Sequence, residues 1–255
     1  MTLHFQISGP DDAPAVLLAG SLGTTLEMWA PQVAALSDGF RTIAYDQLGH
    51  GRSPVPDGPY SIAQLGEAAL DLLDHLELTR VSFVGVSIGG MVGQWLAAHA
   101  PERVDRLVLL CTSAHLPPPE PWLERARVVT ESGTVGVIAE AVVSRWLTPA
   151  FAGAHPDQVA ALRAMLAAQP VAGYAACCAA LAAMDQRKDL GSIAAPTLVI
   201  GGAQDLAIPN EHQHALAGAI GGARLEILDP GAHVVSIERA DDVNRLIRAH
   251  LEAAP

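Results

Sequence analysis

Basic residues are scarce in this chain: 15 lysines and arginines stand against 27 aspartates and glutamates, for a net charge of −12. Such a chain offers no general attraction to nucleic acid or to an anionic membrane surface, and an acidic substrate would need a local cation. Cysteine is equally sparse. Cys111 and the adjacent Cys177 and Cys178 make no disulfide framework, and each lies in an apolar stretch where a free thiol behaves as a small hydrophobe. A cytoplasmic, reducing setting is the expectation. Long apolar runs are missing too, so no membrane span is expected; the Ala-rich stretch 167–184 comes closest, but with Gln169, Pro170 and Gly173 it reads as a pair of soluble helices. The opening "MTLHFQISGPDDAP" has neither the basic start nor the apolar stretch of a signal peptide. No cluster of His, Cys and Asp has a metal-site spacing, and no metal or cofactor is expected.

What the chain does have is a core's worth of apolar residues, half of its 255, enough for one α/β domain with an insertion. Short apolar runs bounded by turn residues recur: "AVLLAG" from Ala15, "RTIAY" from Arg41, "VSFVG" from Val81, "RLVLL" from Arg106, "TLVIGG" from Thr197 and "RLEIL" from Arg224. Continuous runs of this kind suit strands covered on both faces, as in a parallel sheet. Helical patterns lie between them. One starts at Ser61, where "SIAQ" can form a capping box; one runs from Ile88 to about His99 and stops before Pro101; a last one fills 241–251. The alternation implies a doubly wound, mostly parallel sheet.

It fails between residues 113 and 191. There the chain opens with "LPPPEPW" and then shows only helical patterns, an excursion too long for a loop. The expected organisation is a core of residues 1–112 and 192–255 with a helical cap, 113–191, inserted into it.

The stretch "FVGVSIGGMVGQ" crowds Gly85, Ser87, Gly89 and Gly90 together at the junction of a strand ending at Val84 and a helix. Gly-x-Ser-x-Gly in that setting has the parts of a nucleophile elbow, a turn so tight that the flanking side chains must be small. Gly90 is expected to let helix and strand pack closely. Neither G-x-G-x-x-G nor G-x-x-x-x-G-K-[ST] is present, so a phosphate cradle lacks its spacing. A serine hydroxyl needs a base, and the base needs an orienting carboxylate. Asp205 follows one later strand and His233 the next, in the chain order Ser, Asp, His. His50, in "DQLGHGRS", is expected to make a structural hydrogen bond instead, and His212 and His214 lie on a helix at a spacing that does not turn both to one metal. Two N–H donors for a developing oxyanion are expected from Ile88 and from Ser21, with Leu22 as the alternative to Ser21.

With these residues in place the chain resembles the α/β-hydrolase superfamily, and within it the 3-oxoadipate enol-lactone hydrolases. The resemblance spans almost the whole chain and rests on "SLGTTLEMW", "YDQLGHGRS", "PYSIAQLGEAALDLLDHL", "VGVSIGGMVGQWLAAHAPERVDRLVL", "TSAHLPPPEPWLERARVV", "RWLTPAF" and "GYAACCAAL". The chain departs from the family pattern at Leu48, where Arg is usual, and at Ala19-Gly20, where Ser-Asn is usual, both expected near the site entrance. The resemblance implies an α/β-hydrolase fold and the opening of a carboxylate-bearing unsaturated lactone to 3-oxoadipate, with Ser87 attacking, His233 as base, Asp205 orienting it, and either an acyl-enzyme or directly activated water completing the reaction. The cation for that carboxylate is expected from the cap: Arg125, Arg127 or Arg145, with Trp122 and Trp146 as apolar walls. The competing readings are a serine esterase, lactonase or perhydrolase of other range, and a non-catalytic receptor on the same scaffold. Dehalogenases and epoxide hydrolases of this fold need Asp where the chain has Ser87.

Overall fold

The computed structural model describes residues 2–253. Seven strands form one sheet: β1 (Phe5–Ser8), β2 (Ala15–Ala19), β3 (Arg41–Tyr45), β4 (Val81–Val86), β5 (Val104–Leu110), β6 (Thr197–Gly202) and β7 (Arg224–Leu228), in the spatial order β1-β3-β2-β4-β5-β6-β7. β1 pairs antiparallel with β3, and every other pairing is parallel. The six apolar runs read from the sequence are the six parallel strands. β1 is the added element, a short edge strand of half-buried and exposed residues with no apolar run to announce it.

The central strands are apolar throughout because both faces are covered. Leu17, Leu18, Ile43, Phe83, Val84, Leu107, Leu109, Val199 and Ile200 are all fully buried, each contributing roughly 1.5–3 kcal/mol by leaving water. Helix Ile88–His99 packs on β2, β4 and β5 with helix Ile62–His75 against it, while helices Ala30–Leu36 and Ala240–Leu251 pair with one another. Right-handed crossovers explain the division: β2 to β3 runs one way along the sheet and every later connection the other, which puts their helices on opposite faces. The reversal falls between β2 and β4. In open parallel sheets the crevice at the carboxyl ends of two such strands is where ligands bind.

Local signals set the helix ends. Ser61 accepts from Gln64 N–H while the Gln64 side chain accepts from Ser61 N–H, closing the capping box at Ile62. Between β5 and β6 the chain forms five α-helices, Glu120–Ser132, Ala139–Val143, Pro149–Ala154, Pro156–Ala167 and Val171–Ala183. The two ends of this excursion lie side by side: His115 bridges Asp185, and Gln186 N–H donates to Ala114 O at 2.8 Å. Helix Val171–Ala183 packs along helix Glu120–Ser132. The Ala-rich stretch 167–184 is therefore one helix with the end of another. The break falls at residues 168–170, the two helices bend by 93°, and among the described residues no single helix is long and apolar enough to cross a membrane. Gly173 lies inside the second helix rather than breaking it, because a side chain there would collide with the backbone of Gly49 in the core.

That close approach gives a stability test. Gly173→Ala would drive a methyl group into the Gly49 carbonyl and is expected to cost about 1–3 kcal/mol in urea unfolding. Gly153→Ala, in helix Pro149–Ala154 with open space around it, is expected to be neutral or stabilising by up to about 1 kcal/mol.

Candidate active site

β4 continues to Val86, two residues beyond the expected end, so Gly85 is a strand residue and Ser87 alone makes the turn into helix Ile88–His99. Its backbone sits at φ 56° and ψ −120°, a strained conformation for a residue with a side chain. Surroundings hold it there: Ser87 N–H donates to Leu110 O at 2.9 Å, and Ser87 O accepts from the Thr112 hydroxyl at 2.6 Å and from Met91 N–H at 3.1 Å. A Cβ on Gly85 would strike the Gly89 carbonyl, and one on Gly89 would strike the Ala19 carbonyl at the end of β2. Gly90, expected to face a strand, instead lies against the Thr112 side chain just past β5.

Asp205 follows β6. Its Oδ1 accepts from Ala207 and Ile208 N–H at 2.8 and 2.9 Å, and its Oδ2 lies 2.9 Å from His233 Nδ1. Both side chains are almost wholly buried. A carboxylate accepting there keeps the proton on Nδ1, which leaves the other ring nitrogen free to accept one. His233 and Ser87 line a single cavity of about 360 Å³. Ser21 and Leu22, from the loop after β2, line it as well. The Ser21 carbonyl is occupied by the Thr24 hydroxyl and N–H at 2.8 and 3.1 Å, which fixes that turn. Ile88 begins its helix, so its N–H has no acceptor within the helix.

The far wall comes from the cap. Trp122, Arg125, Arg145 and Trp146 all line the cavity. The Arg125 guanidinium stands 4.7 Å over the Trp122 ring. Burial, and then the neighbouring charge of Arg125, lower the pKa of Arg145. Arg127 is not part of this wall: it is exposed and paired with Glu124 and Glu131. Nor are Leu48 and Ala19-Gly20, the two departures expected at the entrance, among the described residues lining the cavity. Leu48 is buried, with its carbonyl 3.6 Å from Cys177 Sγ in the cap.

Two features escape a sequence reading, the placements of His212 and Cys111. His212 lines the cavity, and its Nδ1 lies 2.8 Å from Ser113 Oγ. The Ser113 hydroxyl donates to His115 O at 2.7 Å and has one proton to give, so Nδ1 of His212 is the donor and its Nε2 carries the lone pair. Burial lowers the pKa of His212, with the charge of Glu211 opposing. Cys111, at φ 43° past the end of β5, brings its thiol near Asp205 and His233, with donor atoms of all three within 4.8 Å of one another. This trio is the kind of cluster that spacing along the chain did not reveal. Asp205 and His233 are already bonded to each other, and burial followed by the charge of Asp205 pushes the thiol pKa well up; a protonated thiol is a poor metal ligand. His50 is fully buried, and its Nε2 accepts from Gly23 N–H at 2.9 Å, bracing the loop that carries Ser21.

The sequence pattern of the family described as the alpha/beta hydrolase fold matches residues 14–132 and 151–240. The chain is 39% identical over 249 residues to 3-oxoadipate enol-lactonase 2 of Acinetobacter baylyi, across 98% of this chain and 92% of that protein. Among solved structures, the enol-lactonase from Burkholderia xenovorans LB400 superposes with a TM-score of 0.96 at 41% identity, over 98% of this chain and 96% of that one. A thermophilic esterase from Thermogutta terrifontis, with malate bound, superposes with a TM-score of 0.92 at 28% identity, over 98% and 92%. The chain belongs to the α/β-hydrolase family. Within it, the protein is a hydrolytic enzyme of the 3-oxoadipate enol-lactonase group, which sets aside the non-catalytic receptor reading.

His50 makes stability depend on pH. Burial pushes its imidazole down to about 4, with the Leu48 carbonyl and Asp46 opposing. Below about pH 6.5 the unfolded chain takes up a proton that the folded one refuses, so this contribution is whole above that value and declines as pH falls toward 4. The loss should total on the order of 3 kcal/mol. Urea unfolding between pH 7.5 and 4.5 should show the decline in the wild type and a flatter profile in His50→Asn.

Proposed function

We propose that the enzyme opens 3-oxoadipate enol-lactone, or a lactone closely like it, by acyl transfer to Ser87. The observation that carries this reading is a pair of cations without anions. Arg125 and Arg145 line the same cavity as Ser87 and His233, and among the described residues neither has an acidic partner, in a chain that carries 27 acidic residues. Two guanidiniums facing one cavity repel each other, and a bound carboxylate would relieve both the repulsion and their loss of water. The relatives named as enol-lactonases support the same class of substrate.

In this mechanism the lactone lies with its carboxylate arm toward the arginines and its carbonyl over Ser87. The Ser87 hydroxyl gives its proton to the free nitrogen of His233 as Oγ bonds the carbonyl carbon. Asp205 holds the resulting imidazolium in place. The N–H groups of Ser21 and Ile88 receive the oxyanion. Collapse breaks the ring C–O bond, and His233 returns the proton to the departing enolate oxygen, whose enol becomes the ketone. The departing group stays attached to the acyl chain. Water, deprotonated by His233, then attacks the acyl-enzyme and frees the second carboxylate with Ser87 restored. Net, one water is added across one ester bond.

A second reading keeps the chemistry and changes the substrate to an open-chain ester bearing a carboxylate. The esterase relative with malate bound favours it.

One assay separates the two: the enol-lactone is generated in situ and the decay of its ultraviolet absorbance is followed. Wild-type protein should accelerate the decay, and Ser87→Ala should lose on the order of 10⁴-fold or more in kcat. Arg145→Gln should raise KM for the lactone about 10- to 100-fold, the worth of one charge-assisted hydrogen bond, and leave a neutral aryl ester unaffected. Wild-type cleavage of carboxylate esters without any effect on the lactone would give the second reading.

A further inference from the structure

We infer that Glu238 and Thr148 are positioning residues for His233, and that through them the cap takes part in holding the base. The inference rests on the proposed role of His233 as that base. Glu238 closes the short helix Val235–Glu238 and is buried. Among the described residues no cation pairs with it, and all its partners are neutral donors. The Thr148 hydroxyl makes a short hydrogen bond to Oε1, Thr148 N–H lies 3.3 Å from each carboxylate oxygen, and Ala232 N–H donates to Oε2 at 3.0 Å.

These partners share one arrangement. Ala232 is the residue before His233, and Thr148 belongs to the cap segment that also carries Arg145 and Trp146. Val234, the residue after His233, donates its N–H to Trp146 O at 2.9 Å. The residues on both sides of the imidazole are thus tied to two cap residues, Val234 directly to Trp146 and Ala232 through Glu238 to Thr148. The Ala232 carbonyl adds a third tie, facing Cys111 Sγ at 3.6 Å. An imidazole swings with its backbone, so a loop held on both flanks keeps the ring on Asp205 and facing the cavity. The same frame carries Arg145 and Trp146 in the opposite wall, which fixes the distance between the base and a bound carboxylate.

A carboxylate suits this post because every partner donates. Glu238→Gln would set an NH2 group against an N–H or O–H donor, leaving one of them unpaired. Thr148→Val removes one hydroxyl at nearly constant volume. It also removes the acceptor for Phe151 N–H, 3.3 Å away at the start of helix Pro149–Ala154.

The test uses both variants, the double variant and Thr148→Ser in the full chain. Turnover of p-nitrophenyl acetate and the rate of Ser87 labelling by a fluorophosphonate are measured, with urea unfolding as the check on folding. A base displaced by about 1 Å loses up to ~10²-fold. We expect kcat and the labelling rate to fall together by about 10- to 100-fold in each single variant with KM little changed. The double variant should lose far less than the product of the two, since both remove one linkage. Thr148→Ser, which restores the hydroxyl, should recover most of the loss. Wild-type kcat and labelling rate alongside reduced stability would overturn the inference, and so would losses that multiply. If Glu238→Gln does not fold, the contrast between Thr148→Val and Thr148→Ser decides alone. Undiminished turnover in Ser87→Ala or His233→Ala would instead sink the proposed function, which keeps the two failures distinct.

Discussion

The site depends on how closely one helix is pressed against two strands. Helix Ile88–His99 starts so near the ends of β2 and β4 that no side chain fits at Gly85 or Gly89. The chain must turn from strand to helix within one residue, and that residue takes a positive φ. Parallel pairing of β4 with β2 and β5, and the hydrogen bonds of Ser87 with Leu110 and Thr112, offset the strain. What the strain achieves is position. The serine stands at the rim of the sheet, beside the unpaired N–H groups of a helix start, at the point where strand order reverses. If the helix moved off by the width of a methyl group, the turn could relax and the arrangement would be gone.

Around that turn the charges are distributed in an unusual way for so acidic a protein. Most arginines sit in ion pairs, several of them exposed, such as Arg127 with Glu124 and Glu131, or Arg187 with Asp185. Pairs of this kind contribute little to stability. Among the described residues Arg125 and Arg145 have no such partners at the cavity, while the imidazoles of His50 and His212 are held toward their neutral forms by burial. In the proposed mechanism these cap arginines would receive the substrate's anion and the Asp-bound imidazole of the core would carry the proton. Cap and core would each supply part of that chemistry, and the residues flanking His233 are tied to the cap, Val234 directly and Ala232 through Glu238.

Much of this was legible before any coordinates. Six strands announce themselves because a strand buried on both faces has to be apolar throughout. β1 does not, being a four-residue edge strand that is only half-buried. The helix at Ile62 is legible to the residue because its capping box is a local exchange of hydrogen bonds. The cap helices were harder to resolve. Ala-rich segments such as Val171–Ala183 bury several sides at once against neighbours and show little periodicity, and Gly173 looks like a breaker until Gly49 is seen beside it. Ser87, Asp205 and His233 could be read because each follows its own strand. His212 could not, since its orientation depends on Ser113, 99 residues away. Glu238 looks like any acid on a helix until Thr148, 90 residues back, is placed against it.

The sequence by itself determined the alternation of strands and helices, the tight turn at Ser87, the strand ends that carry Asp205 and His233, and the long helical excursion between β5 and β6. These follow from apolar periodicity, glycine sterics and capping, which act over a few neighbouring residues. Tertiary structure alone decided which arginines face the cavity, which histidines are neutral, which thiol lies beside the Asp–His pair and which carboxylate ties the cap to the His233 loop. The reason is physical. Those properties come from hydrogen bonds, desolvation and charge between groups distant along the chain, and they exist only once folding has brought the partners within a few ångströms.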